Sequence, residues 1–310
     1  MKSVYLVYFV VVLVARAERG VAQEMGSEDL RKEEPLQFDF RVYDAKTIRN
    51  NPTTQIAITK NEWPRNTFLL WLPEDVKPIW NQWTPAVAHQ DFRDNENGGL
   101  LWSYTEKDVA HISAELQPKG HSIVCTIRVK NLSKKVLNHV CAQNCLHFSK
   151  APDFVCDDFS RILIRVDGQW KSLKDLQPTS GLPMYYAPGF LESGRIDTWR
   201  GMFRKNNQRP RADHPLMICL DKQKKHAVAT VSQDYQCLFH NGGSKYLRCI
   251  HSQQSPVSAL PPGETAMFRQ WIFFVEGGVS ESLRLFNQSE AASLYKIGEG
   301  ANKAIDGNKK

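Results

Sequence analysis

Cys249 and His251 stand two residues apart, so on an extended strand both side chains face the same way. A thiol beside an imidazole can ligate a metal or move a proton. His240 lies just before Gly242-Gly243, where the chain can fold it back toward that pair, and Asp213-His214 adds a carboxylate next to another ring. Together these residues could hold a divalent cation or form an acid/base centre. The plainer alternative is a set of histidines scattered over a folded surface. Cys141 and Cys145 have C-x-x-x-C spacing, Cys156 follows, and Cys219, Cys237 and Cys249 form a later group. Zinc sites of thiolates are usually built on C-x-x-C pairs. The chain has none, so neither a metal nor a cofactor is expected. Cys125, Cys219 and Cys249 sit in apolar strand patterns, where a buried thiol is as natural as a disulfide.

Aromatic side chains give a second signal. Trp63, Trp71, Trp80 and Trp83 are close in sequence, and Trp102 and Tyr104 follow Gly98-Gly99. Core packing accounts for most of them. Trp80 and Trp83, with Asn81, Gln82 and Gln90 nearby, suit a sugar-stacking platform, because an indole face complements the C–H face of a pyranose while amides take its hydroxyls. The long segment Leu176 to Pro215 is rich in proline and glycine and carries Tyr185, Tyr186 and Trp199. A connection of that length in a compact domain is usually functional or disordered. Its stretch from Arg195 to Arg211 holds six basic residues against Asp197 alone, a local charge of +5. Arg200 and Arg204 within it could fork carboxylates or sulfates of an anionic polysaccharide.

The elements that must position these residues read as strands. Ile112, Ala114 and Leu116 alternate with polar neighbours, Pro118-Lys119-Gly120 turns the chain, and Ile123, Cys125, Ile127 and Val129 alternate again. That pattern predicts an antiparallel hairpin with one wet face. Arg161–Val166 and Gln169–Leu173 flank Asp167-Gly168, a pair that accepts the positive φ values of a tight type I′ turn. Leu216–Leu220, His226–Val231, Tyr246–Ile250 and Ala266–Val275 supply further strands, and Glu281–Phe286 reads as a short helix. No internal repeat is visible. The expected fold is an all-β, large antiparallel β-sandwich with long loops and little helix.

At the amino end, Lys2, the apolar run Val4–Val14 and Ala15-Arg16-Ala17 have the form of a cleavable signal peptide, and the run is too short to span a bilayer. The expected layout is a signal peptide over 1–17, a flexible segment over 18–35, the sandwich over 36–288 and a flexible tail over 289–310. Loss of Lys2 and Arg16 with the leader would lower the formal charge from +7 to +5. That excess favours anionic partners. Export and the lack of a basic helix or finger spacing speak against nucleic acid. The expected location is secreted or periplasmic, with no membrane span after cleavage. Asn131-Leu132-Ser133 and Asn287-Gln288-Ser289 match the N-glycosylation pattern.

Cys125-Thr-Ile-Arg-Val-Lys-Asn-Leu-Ser133 followed by Leu137–Phe148, and Leu260-Pro-Pro-Gly-Glu264 before Ala266–Val275, resemble strands and strand entries of mutarotase-like, carbohydrate-associated sandwiches. The stretch His214–Gly278 is similar to exported proteins of planctomycete-type bacteria. The mutarotase-like resemblance implies a histidine acid and a carboxylate base on a concave sheet. His251 would take the first role and Glu264 the second, with His240 as a further candidate. The functional expectation is an exported protein that recognises a glycan, with or without modifying it; the alternative is a non-catalytic structural or interaction protein of the envelope.

Overall fold

The computed structural model describes residues 38–46, 52–81, 91–176, 184–190, 210–240 and 248–295. The chain divides into Met1–Glu34, outside the described residues, and Pro35–Lys310, which holds every described element. The expected signal peptide over 1–17 and the expected flexible segment over 18–35 therefore lie outside the described residues.

Two nine-stranded antiparallel sheets pack face to face. The first runs β1 (Phe38–Lys46), β2 (Pro52–Lys60), β3 (Thr67–Lys77), β9 (Leu137–Lys150), β16 (Cys249–Gln254), β15 (Tyr235–His240) and β12 (Met184–Tyr186), with β4 (Trp80–Asn81) on β3 and β17 (Val257–Leu260) on β9. The second runs β11 (Gln169–Ser172), β10 (Ile162–Val166), β13 (Met217–Leu220), β14 (His226–Ser232), β18 (Thr265–Glu276), β8 (Ser122–Asn131), β7 (Ala110–Lys119), β6 (Leu100–Glu106) and β5 (Arg93–Asp94). Helix α1 (Val279–Gln288) and a helical turn over 290–295 are the helical parts among the described residues. The all-β sandwich is thus the fold of the chain.

Alternation explains which side chains meet. In β7, Ala110, Ile112, Ala114 and Leu116 are buried while the residues between them are partly wet, as the hairpin pattern requires. Asp167 and Gly168 adopt φ of 54° and 74° and join β10 to β11, the double positive φ of a type I′ turn. The core between the sheets takes Phe68, Leu70 and Leu72 from β3 together with Ile123, Ile127, Phe268 and Phe274 from the opposite sheet. Polar ties cross this core. Asn144 donates to Gln270 (2.7 Å), Gln270 donates to Thr230 (2.6 Å), and Ser232 bonds Ser252 through both its amide and its hydroxyl.

The central strands are apolar on both faces because both are covered. On the second sheet, Ala227, Ala229, Val231, Trp271, Phe273 and Val275 turn away from the sandwich core and pack against Leu285, Phe286, Ala291 and Ala292. The helical turn over 290–295, which the sequence pattern assigns to the tail, therefore begins as packed structure. Asn131 is fully buried and its amide donates to the carbonyls of Lys135 and Leu260, so in the folded chain it is not a glycan acceptor. All seven cysteines are buried and none is in a disulfide.

Candidate functional site

The far face of the first sheet, away from the sandwich core, is built from β3, β9, β16 and β15. Its centre is set by register. Trp71 pairs with Cys145, Asp75 pairs with Gln143, and Cys249 pairs with His147. Continuing the β9–β16 register sets His251 opposite Cys145, while Phe239 is the partner of His251 on its other side. A bulge makes the site. Between its pairs at Trp71 and Asp75, β3 advances four residues while β9 advances two, and the extra chain delivers Glu74 and Asp75 together to the same face.

These groups are nearly dry. His251 is 0 % exposed, Asp75 3 % and Glu74 7 %, so their charges act through little solvent. Glu74 Oε2 lies 3.3 Å from His251 Nε2, at ion-pair distance without the alignment of a hydrogen bond. Gln143 also donates to that carboxylate. Burial and the neighbouring charge of Glu74 push the Asp75 carboxyl up to about 7, against the pull of Lys77 and His251. Burial disfavours a charged His251 ring, yet the Cys249 thiolate and Glu74 outweigh it and push the ring up to about 10. Burial likewise opposes the Cys249 thiolate, but a bond from Cys145 and the charge of His251 hold that thiol well below the usual range. Cys145 goes the other way, raised by burial and by Cys249.

The His251 ring stacks on Phe239 with centroids 4.1 Å apart and planes at 4°. The Trp71 indole meets His147 edge to face at 4.5 Å. Asp75 Oδ1, Gln143 Oε1, His147 Nε2, His251 Nδ1 and Gln253 Oε1 are buried with no hydrogen-bond partner in the protein. Each such atom costs about 1–3 kcal/mol when left dry and unbonded. A face that gathers them with a carboxylate pair has the polar complement of a ligand site.

The residues expected from sequence are divided by the fold. His251 is at the centre. His240 pairs with Ile250 and so faces the opposite side of the sheet, where its ring meets Phe159 edge-on at 4.7 Å; burial holds it down to about 4. Glu264 is exposed in the turn after β17, its amide bonded to Pro261 and its carbonyl to Asn131. β17 joins β9 at Leu137, and the eight residues from there to Cys145 span about 26 Å of strand. Glu264 therefore does not meet His251, and Glu74 is the carboxylate that does. Tyr185 is turned into the sandwich core, while Tyr186 lies on the far face stacked on Phe190 at 6.0 Å. Trp80 pairs with Val76 through its backbone in β4. Trp83, Trp199, Arg200 and Arg204 lie outside the described residues.

Sequence reasoning missed Glu74, Asp75, Gln143 and His147 and left Cys145 with Cys141. One signal was available. Two acidic residues interrupt the run Phe68-Leu-Leu-Trp-Leu72 and Val76, and carboxylates inside a buried strand need a partner. Elsewhere, a cleft of about 280 Å3 is lined by Trp63, Asn66, Asp153, Asp221 and His226. Its His226–Asp221 pair, 2.9 Å apart, has a structural use: Asp221 also accepts the amides of Lys225 and His226 and closes the β13–β14 turn.

Comparison with known proteins gives fold likeness alone. No protein-family model matches the sequence, and no curated protein matches it. Among solved structures, the chain is similar to a galactose mutarotase related enzyme from Lactobacillus acidophilus (8 % identity, TM-score 0.44, covering 77 % of this chain and 98 % of the other). It is also similar to galactose 1-epimerase from the same species (10 %, TM-score 0.42, 78 % and 99 %). A third is a galactose mutarotase-like protein from Clostridium acetobutylicum (12 %, TM-score 0.40, 77 % and 99 %). TM-scores of this size transfer no residue and no activity.

Proposed function

We propose that this chain is an exported carbohydrate-associated protein that binds a glycan on the far face of its first sheet and modifies it by proton transfer. One observation carries the reading: the bulge in β3 presents Glu74 and Asp75 side by side on a buried face, with His251 on the first and Gln143 beside both. Two carboxyl groups in one dry site cannot both be ionised cheaply, so one keeps a proton to give and the other can accept. Gln143, Gln253 and His147 supply hydroxyl partners, and Trp71 supplies an apolar ring face. The preference for an anionic polymer rests on the basic run that contains Arg200 and Arg204.

The test uses the chain from residue 18 onward. A polysaccharide panel and free aldoses are screened for binding by calorimetry, and for turnover by polarimetry and by reducing-end and unsaturated-product assays. Asp75→Asn should leave binding within a few-fold and lower turnover at least a hundredfold, since it removes the exchangeable carboxyl proton without changing size. Binding and turnover of no carbohydrate by the folded chain would overturn the reading. Export is checked by N-terminal sequencing of the secreted protein, which should begin near Glu18; an intact Met1 in a membrane fraction would refute it. Arg200→Ala with Arg204→Ala should weaken uronate-containing or sulfated polymers selectively, and only at low salt.

A further inference from the structure

We infer that Cys145, Cys249 and His251 form a binding site for a thiophilic divalent cation, with zinc the ion whose ligand preferences fit best. One ligand atom from each residue lies within 4.8 Å of the others, and all three residues are buried. Tetrahedral zinc with Zn–S of about 2.3 Å and Zn–N of about 2.0–2.1 Å sets its ligand atoms about 3.5–3.8 Å apart, so the cluster needs only a small contraction. Two thiolates and an imidazole are the soft and borderline donors that select zinc over calcium or magnesium.

A carboxylate already stands beside the imidazole. A metal-bound imidazole usually gives its other N–H to a carboxylate, which fixes ring and tautomer. Neither ring nitrogen of His251 is hydrogen-bonded, but Nε2 has the Glu74 carboxylate at 3.3 Å, so the buried Nδ1 is the nitrogen left for the ion. The ring is further fixed by stacking on Phe239. Glu74 is itself held by Gln143. His147, opposite Cys249 in register and with a buried, unbonded Nε2, is a further imidazole on the same face. Three protein ligands leave the fourth position to His147 or to a solvent or substrate oxygen. Cys145 and Cys249 stand diagonally across the β9–β16 pair and not opposite one another, a placement that suits a shared ion.

This site goes beyond the glycan reading and is tested without a sugar, so the failure of either is distinguishable from the failure of the other. The chain from residue 18 onward, purified reduced and without chelator, is loaded with equimolar zinc, desalted and measured for metal; a parallel sample is titrated with cobalt under exclusion of oxygen. One equivalent of zinc should remain, and cobalt should give the thiolate charge-transfer absorption and the intense visible bands of a tetrahedral site. Cys145→Ser with Cys249→Ser should reduce retained zinc to below a tenth. His251→Asn should weaken zinc at least tenfold, and Cys125→Ala, which alters a buried thiol in the sandwich core, should leave the stoichiometry unchanged. Zinc not retained by the folded, reduced chain, retention undiminished in the double serine variant, or a Cys145–Cys249 disulfide in the protein as isolated would each overturn the site. Should the serine variants misfold, the cobalt spectrum of the unaltered chain still decides, because thiolate charge transfer is either present or absent.

Discussion

Removing the carboxylate of Glu74 would take from the buried His251 ring one of its two anionic neighbours, the other being Cys249, since Glu74 is 3.3 Å away and His251 is 0 % exposed. Breaking one side of a buried pair costs about 3–5 kcal/mol, whereas removing both sides costs much less. In metal-free protein, Glu74→Gln should therefore lower the urea midpoint strongly, and Glu74→Gln with His251→Gln should recover most of the loss. Equal and additive losses in the two single variants would show that the residues do not interact. At this scale the sequence was partly readable. Cys249 and His251 were visible as a pair because strand alternation is a local rule. Their partners Cys145 and Glu74 were not, because they arrive through the pairing of β16 with β9 and of β9 with β3, and neither pairing leaves a mark on spacing within one strand.

Among elements, the docking of α1 shows how a lone histidine couples packing to pH. His214 is 8 % exposed, its Nδ1 accepts the Leu216 amide at 3.3 Å, and its ring meets Phe286 and Trp170 edge-on. Burial, helped by Arg165 and opposed by Asp213, lowers the ring from 6.5 to about 4. The folded state thus favours the neutral ring. Its contribution is complete above pH 6.5 and is lost as pH falls toward 4, by about 3 kcal/mol at most. Protonation also removes the acceptor for Leu216. Protection factors of the amides over 279–295, taken relative to the intrinsic exchange rate at each pH, should fall between pH 6.5 and 4, and His214→Asn, which keeps an acceptor but does not titrate, should flatten that dependence. An unchanged slope in the variant would exclude His214 as its source. Hairpins such as β7–β8 and β10–β11 were legible from alternation and turn chemistry, both contained in one short stretch of chain. The β3 bulge was not, because the extra residues of a bulge are defined only against the strand they face.

For the whole molecule, the question is what fixes one sheet over the other when an apolar core alone tolerates sliding. The chain Asn144–Gln270–Thr230 is suited to this, since it joins β9 of the first sheet to β18 and β14 of the second through bonds of 2.7 and 2.6 Å. All three residues are buried, Gln270 at 1 % and Thr230 at 0 % exposure. Asn144 Oδ1 is buried without a partner, but the groups that are bonded here favour one alignment because every shifted alignment strands them as well. The same tie holds β9, and hence Cys145 and Gln143 on its other face, in the register that meets β16 and β3. Gln270→Leu should strand both neighbours and cost about 2–6 kcal/mol, from two unmet buried groups. Replacing all three, by Asn144→Leu, Thr230→Val and Gln270→Leu, should restore most of that stability, because no polar atom is then left unpaired. The triple variant should nonetheless show poorer dispersion of its core methyl resonances and a weaker near-ultraviolet circular dichroism signal, as expected when packing persists but alignment is no longer specified. Full recovery of both stability and spectral dispersion would show that shape complementarity alone aligns the sheets and that the polar chain does not.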